Sequence, residues 1–491
     1  MAEQSRRKYG VVGGVDLLAS ADVFSRLVKA SSALSGISTS TDVLFESPPR
    51  LEPGADGAVT AKYKLDIFDI IRGFEKRGVT TVVLPCFPSH TFIDELKANT
   101  SLQIVDMVEA IRSHVGEQYP AATRIGVLAS GYMREKQLFE RYFASPRFEV
   151  VYPRLQNDAD PVTKALYESG GIGGAGNLCG HSVKLLRSAC DDLVEQGAQV
   201  IVPCLAEIAF AMDGDGDGGA GQKAPVINPG MVYAQYAVSG QSALPPPVFK
   251  IGVVGGVGPA ATVDLLDKIV RNTPAARDQE HIKILVEQNP QIPDRTQNLL
   301  ADGIDPTIAL YVTCKKLEEG HASLIAIPCN TAHAFVDRIQ PYLGIPIVNM
   351  MTVTVNHLRA AFPEQRNIGL LATSGTIASG VYRKALEAQG LRQVTPEAAL
   401  QARVMEAIYG EKGVKAGFTS GVCLDDLTAA VEGLAAQGIE VMILGCTELP
   451  ILLSGGEFVC KSGKRVQLVD PTDILARCCV ARARGEIARN S

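Results

Sequence analysis

IAIPCNTAHAF, residues 325–335, decides how this chain is read. An apolar run stops at Pro328, and Cys329, Asn330, Thr331 and His333 then bring a thiol, an amide, a hydroxyl and an imidazole within five positions. A short β-branched run ended by a breaker predicts a buried strand, and the polar cluster falls at its carboxyl end. A partial echo stands far upstream: VVLPCFPSH, residues 82–90, carries Cys86 and His90.

The echo is part of a tandem duplication. Cys86 and Cys329 lie 243 positions apart, as do IGVLASG (125–131) and IGLLATS (368–374). VIVPC (200–204) and VMILGC (441–446) place Cys204 and Cys446 242 apart, and Pro229 and Pro471 follow at the same spacing. YGVVGGVDLL (9–18) answers IGVVGGVGPAATVDLL (251–266). A near-constant spacing over five matches predicts two copies of one unit, and 491 residues exceed one ordinary core. The seam SGQSALPPPVF has three successive prolines, which suit a stiff linker. We place the copies at 1–242 and 248–491.

Within each copy, short β-branched runs (KIGVVGG, KILVEQ, SLIAIP, NIGLLAT, EVMILG, VQLVD) alternate with stretches of helical period. That pattern predicts an α/β fold with parallel sheets flanked by helices. Ligands of such sheets sit beyond the carboxyl ends of the strands. Each copy offers two thiols there, so a site shared by two pseudo-symmetric lobes is expected.

Charge and composition narrow the partners. The net charge of −6 gives no electrostatic case for nucleic acid or an anionic membrane, so a small-molecule ligand is expected. No long apolar segment predicts a membrane span or a secretory leader. The cysteine count is odd, eleven, which argues for reduced thiols in the cytoplasm over a disulfide framework.

Most cysteines are packing residues. Cys190, Cys314, Cys423, Cys478 and Cys479 fit that description, and Cys179 and Cys460 lie in loop-like context. Cys86, Cys204, Cys329 and Cys446 differ because they recur in register at strand ends. A helix is expected to begin just after Cys329, with free N–H groups that favour thiolate and with His333 on the thiol's face. Zinc is a weaker reading: Cys-x3-His offers two ligands, no CxxC is present, and Asn330, Thr331 and Thr447 suit ligand hydrogen bonds. GVGPAA (256–261) fits a dinucleotide fingerprint, but the first copy breaks it and no acidic residue follows at the right distance. DGDGDG (213–218) lacks the glutamate that would complete a calcium loop.

In the second copy GGVGPAAT (255–262), PDRT (293–296), PCNTAH (328–333), IYGEKGVKAG (408–417) and GCTELP (445–450) together resemble the cofactor-independent aspartate/glutamate racemases. The resemblance implies an isomerase that needs neither cofactor nor metal. It implies Cys329 and Cys446 as the acid/base pair on opposite faces of the substrate α-carbon. It also implies that Arg295 and Lys415 recognise a side-chain carboxylate. Asn330, Thr331 and Thr447 supply donors for the α-carboxylate. Glu448 stands where glutamate racemases generally carry histidine, so GCTEL looks closer to the aspartate and broad-specificity branch. His333 and Glu448 are expected to tune the thiols. Isomerases and lyases of the same superfamily, acting on a dicarboxylate or a hydantoin-like compound, are the alternative, and a non-catalytic binding protein is a third.

The first copy keeps Cys86, His90 and Cys204 and loses the polar set. Phe87 stands for Asn330, Pro88 for Thr331 and Leu205 for Thr447, while Glu207 falls one position late against Glu448. PDRT has no clear partner there, and Lys415 falls on Gly173. The first copy is expected to serve a less polar substrate or to be a scaffold.

Overall fold

The computed structural model describes residues 7–14, 17–35, 42–48, 59–144, 146–155, 160–167, 180–204, 224–239 and 248–487. Cys179, Leu205, Glu207, Gly173, the acidic stretch 213–218 and the seam at 240–247 lie outside them. The chain divides into two compact units, Met1–Pro247 and Val248–Ser491.

In the second unit β8 (Lys250–Gly255) lies between β9 (Lys283–Gln288) and β10 (Leu324–Ala326), all parallel. A second sheet has the order β12-β11-β13-β15-β14. Its strands are β11 (Asn367–Leu371), β12 (Arg392–Val394), β13 (Val441–Leu444), β14 (Gly456–Val459) and β15 (Arg465–Val469), with only β14 antiparallel.

Strand alternation decides which side chains meet. Ile251 and Val253 of β8, Leu324 and Ala326 of β10, Ile368 and Leu370 of β11, and Val441 and Ile443 of β13 enter one core shared by both sheets. The opposite faces are covered separately. Val254, Ile325 and Ile327 pack in a cluster that reaches Cys329, and Leu371, Met442 and Leu444 in one that reaches Cys446. A shared core holds the two lobes together, and both polar strand ends emerge at its margin.

The first unit repeats this plan. Its first sheet has the order β2-β1-β3-β4, from β1 (Tyr9–Val12), β2 (Val43–Glu46), β3 (Thr81–Val83) and β4 (Gln103–Ile104). Its second sheet, β6-β5-β7, is built from β5 (Arg124–Leu128), β6 (Glu149–Val151) and β7 (Val200–Pro203). The described pairs in both sheets are parallel. The duplication extends to detail: Gly14 N donates to Ser20 Oγ at 2.9 Å, and Gly256 N to Thr262 Oγ1 at 3.1 Å.

The expected helix after Cys329 is a correction. Thr331–Phe335 forms a 3₁₀ turn. In an α-helix the Cys329 carbonyl would accept from the His333 backbone N–H. Here the His333 ring takes that carbonyl, Nδ1 to Cys329 O at 2.9 Å, and the backbone N–H turns to Asn330 O at 3.1 Å. The Cys329 carbonyl thus meets the His333 ring where an α-helix would give it the His333 backbone N–H.

Candidate active site

Strand ends of both sheets in the second unit converge on one cleft. Cys329, Asn330 and Thr331 follow β10; Cys446, Thr447 and Glu448 follow β13. Val257 comes from the turn after β8 and Thr373 from the end of β11. Arg295 and Thr296 open the helix Arg295–Ala301, whose N-cap Asp294 accepts from Gln297 N at 2.8 Å. Tyr409 ends the helix Ala398–Tyr409, and Lys415 lies on the 3₁₀ turn Val414–Ala416.

The two thiols are almost equally shielded, with Cys329 7% and Cys446 6% exposed. Cys446 Sγ donates to Glu448 Oε2 at 3.1 Å. Burial pushes the Cys446 thiol well above its ordinary pKa, and the Glu448 charge adds to that push against a smaller pull from Lys415. Lys415 forms a close ion pair with Glu448 and lies 5.4 Å from the centre of the Tyr409 ring. Burial disfavours its ammonium, but Glu448 and Cys446 outweigh that and hold its pKa above the usual lysine value. Glu448 itself is 3% exposed.

Gly258 makes room for this pair. Its φ is +120°, and a Cβ there would come within 2.5 Å of Glu448 Oε1. Any other residue would meet both strain and the carboxylate.

On the other thiol lies Arg295. Burial opposes its charge, yet the Cys329 thiol beside it raises its pKa. Its Nη1 donates to Ile292 O at 3.2 Å and Pro293 O at 3.1 Å, while its buried Nε has no hydrogen-bond partner. Asn330 presents a second open donor. Its Oδ1 accepts from Tyr382 Oη at 2.6 Å, and its Nδ2 is buried without a partner. Buried donors of this kind are costly unless a ligand fills them.

Thr331 joins a hydroxyl cluster, with Oγ1 2.7 Å from Thr376 and 3.3 Å from Thr373. Thr447 Oγ1 donates to Pro328 O at 3.2 Å, bridging the two strand-end loops. His333 has both ring nitrogens committed to backbone. The Met350 N–H donates to Nε2 at 3.1 Å, so Nε2 is an acceptor and Nδ1 carries the hydrogen given to Cys329 O. Burial lowers its pKa and favours this neutral form. The ring therefore anchors the Cys329 backbone and offers no lone pair to a metal. Tyr382, Thr373, Thr296 and Tyr409 were not singled out from sequence. Thr373, in the repeated IGLLATS, Thr296, in PDRT, and Tyr409, in IYGEKGVKAG, lay within motifs that drew attention, whereas Tyr382 did not.

The first unit differs at the matching places. Cys86 Sγ accepts from Tyr63 Oη at 3.3 Å, and Tyr63 Oη is 2.8 Å from Ser89 Oγ. Phe87 is 2% exposed and belongs to the core, its ring 5.8 Å from that of Phe139. Cys204 is fully shielded, and burial raises its pKa, with Arg134 opposing and Glu140 adding. His90 Nε2 lies 3.0 Å from Leu84 O, and burial lowers its pKa as it does for His333.

The profile of the family described as Asp/Glu/Hydantoin racemase matches twice, over residues 12–209 and 254–479. The chain belongs to this family. Two copies of a racemase-family unit are thus joined in one polypeptide. The broad specificity amino-acid racemase RacX of Bacillus subtilis is 30% identical over 146 residues, covering 28% of this chain and 61% of that protein. The glutamate racemase of Geobacter metallireducens is 30% identical over 166 residues, covering 33% and 57%. The chain therefore spans about three fifths of the length of these curated relatives. Among solved structures, Picrophilus torridus aspartate racemase is 26% identical, covers 48% of this chain and 94% of its own, and has a TM-score of 0.42. No helix among the described residues is long and apolar enough to cross a membrane.

Proposed function

We propose that the second unit, 248–491, racemises an amino acid, aspartate or glutamate foremost, without cofactor or metal. The observation that carries this reading is the pairing of two strand-end thiols with open, buried donors in one cleft. Cys329 and Cys446 act as the acid/base pair. One thiolate takes the proton from Cα, the bonding electrons stay on carbon and spread into the carboxylate, and the other thiol returns a proton from the opposite face. Asn330 Nδ2, with Thr331, holds the α-carboxylate as it gains charge, while the Thr447 hydroxyl ties the two strand-end loops together through Pro328 O. Lys415 is already paired to Glu448, so Arg295 is the cation left for a side-chain carboxylate. The first unit, 1–242, does not turn over acidic amino acids. It offers Phe87 and Pro88 where the second has donors.

The test is proton NMR in D₂O over a panel of L- and D-amino acids. Deuterium entering Cα of aspartate or glutamate, together with appearance of the enantiomer, is expected. Ligand binding with no exchange would replace this reading by a binding protein. Turnover only of a dicarboxylate without an amine would replace it by an isomerase or lyase of that substrate.

A further inference from the structure

A phenol and four hydroxyls run in series beside the cleft. Tyr409 Oη donates to Thr296 Oγ1 at 3.4 Å, and Thr296 Oγ1 donates to Thr373 Oγ1 at 3.4 Å. Burial pushes the Tyr409 pKa up to about 12, so the series starts at a phenol with a hydrogen to give. Thr373 caps the helix Ser374–Ser379, and its Oγ1 also accepts from the Thr376 backbone N–H at 3.1 Å. Beyond it lies a triangle. The Thr373 and Thr376 hydroxyls are 3.0 Å apart, Thr373 and Thr331 3.3 Å, and Thr331 and Thr376 2.7 Å. Gly375 leaves room for this approach, since a Cβ there would meet Thr296 Oγ1 at 2.8 Å.

A hydroxyl has one hydrogen and two lone pairs. Thr373 fills both lone pairs, one with the Thr376 N–H and one with Thr296. Its own hydrogen must leave towards Thr376 or Thr331. Leaving towards Thr331, with Thr331 then donating to Thr376, it would strand the last hydrogen on Thr376. That hydroxyl is 1% exposed and meets no described residue outside the triangle, and a buried hydrogen without an acceptor is unfavourable. Leaving towards Thr376, with Thr376 donating to Thr331, it frees the hydrogen of Thr331, which lines the cleft. Without Thr296, the spare lone pair on Thr373 would let the three hydroxyls close into a ring that gives the cleft nothing.

We propose that Thr296 is a positioning residue: by donating to Thr373 it keeps the Thr331–Thr373–Thr376 triangle open and directs the Thr331 hydrogen at the substrate α-carboxylate. This rests on the racemase reading above and adds a residue that acts on the carboxylate through others. Each donation polarises the next hydroxyl, so Thr331 becomes a better donor where charge develops. The first copy lacks the device. Pro88 and Met133 stand 243 positions before Thr331 and Thr376, so both ends of the 2.7 Å link are lost together.

Two measurements on the full chain test this. Neutron diffraction from crystals exchanged into D₂O shows the hydroxyl deuterons, and that of Thr331 is expected to point into the cleft. A Thr331 deuteron directed at Thr376 would overturn the proposal. In steady-state kinetics Thr296→Val keeps the shape and removes the hydroxyl. It should lower kcat/KM about threefold, less than a full neutral hydrogen bond because its links are long, and Thr296→Ser should restore it. Thr331→Val should cost more, and adding Thr296→Val to it should cost nothing further. Independent losses, an unaltered valine variant or a serine variant as poor as valine would each overturn the proposal. The unsubstituted protein decides the neutron arm even where a variant fails to fold. That arm needs no turnover, so a failed racemase reading and a failed hydroxyl chain give different results.

Discussion

Tyr382 Oη donates to Asn330 Oδ1 at 2.6 Å, and this bond leaves Asn330 Nδ2 as an open, buried donor. A planar amide held at one end has its other end aimed. Tyr382→Phe removes the hydroxyl and keeps the ring, so the amide is free to turn. We expect kcat/KM for the preferred amino acid to fall about fivefold, the worth of one neutral hydrogen bond. Asn330→Ala should cost more, since the donor itself is gone. Steady-state kinetics on both variants check this, and unchanged values in the alanine variant would remove Asn330 from the substrate contacts.

Cys329→Ser and Cys446→Ser should each fold and each lose racemisation by at least about 10²-fold, because either change removes the acid or base from one face. Circular dichroism establishes folding and enantiomer formation reports activity. Near-normal turnover in both single variants would exclude the pair. Dialysis against a chelator, or added pyridoxal phosphate, should leave the rate unchanged.

Arg295→Leu separates recognition of an acidic side chain from general damage. A charge-assisted contact contributes about 1.5–3 kcal/mol, so aspartate and glutamate should lose about ten- to a hundredfold more kcat/KM than a neutral amino acid. Any effect of Arg295 on the Cys329 thiol falls on all substrates alike and cancels in that ratio. Equal losses would leave Arg295 with the thiol alone.

The duplication and the strand-end thiols were legible because they follow local rules: a buried β-branched run, a breaker, then a polar residue. The partners of those thiols obey no such rule. Lys415 and Glu448 are 33 positions apart, and nothing in either motif says that they bond each other. Resemblance implied Lys415 as a reader of substrate, and the structure places it on the cleft wall in an ion pair with Glu448. His333 was read from helical spacing as a neighbour of the Cys329 thiol. Its second nitrogen instead serves Met350, 17 residues on, its first bonds the Cys329 carbonyl, and the turn is 3₁₀ and not the α-helix on which that spacing depended. Tyr382 was invisible because an aromatic residue in a helix reads as core until its hydroxyl is seen on Asn330.

His333 predicts a pH dependence of stability. Its folded pKa is depressed by burial, so the unfolded chain binds the proton more readily. The neutral ring's contribution is fully present above about pH 6.5, the unfolded value, and is lost as pH falls from there through the lower folded value. Protonation at Nε2 would also set an N–H against the Met350 N–H. Each unit of depression is worth about 1.4 kcal/mol. His333→Gln should be less stable at neutral pH and should lose less on acidification to about pH 5 than the unsubstituted protein. Denaturant unfolding at several pH values measures both curves. Parallel curves would show that His333 does not carry this dependence, and His90, depressed in the same way in the first unit, would be examined next.

The first unit tests how much of the chemistry is thiol and how much is what surrounds the thiol. Stabilising a carbanion next to a carboxylate needs donors that strengthen as charge develops. At the matching positions Phe87 is packed into the core against Phe139, and Pro88 has no backbone N–H to give. An acidic amino acid brought there would exchange water for apolar contacts, which is unfavourable. Cys204 has no exposed surface, and burial holds it as a thiol. Cys86→Ser combined with Cys204→Ser should therefore leave aspartate and glutamate racemisation within a few-fold of the unsubstituted protein, measured on the full chain after folding is verified. A large loss in that folded double variant would place chemistry for acidic substrates in the first unit and overturn its assignment.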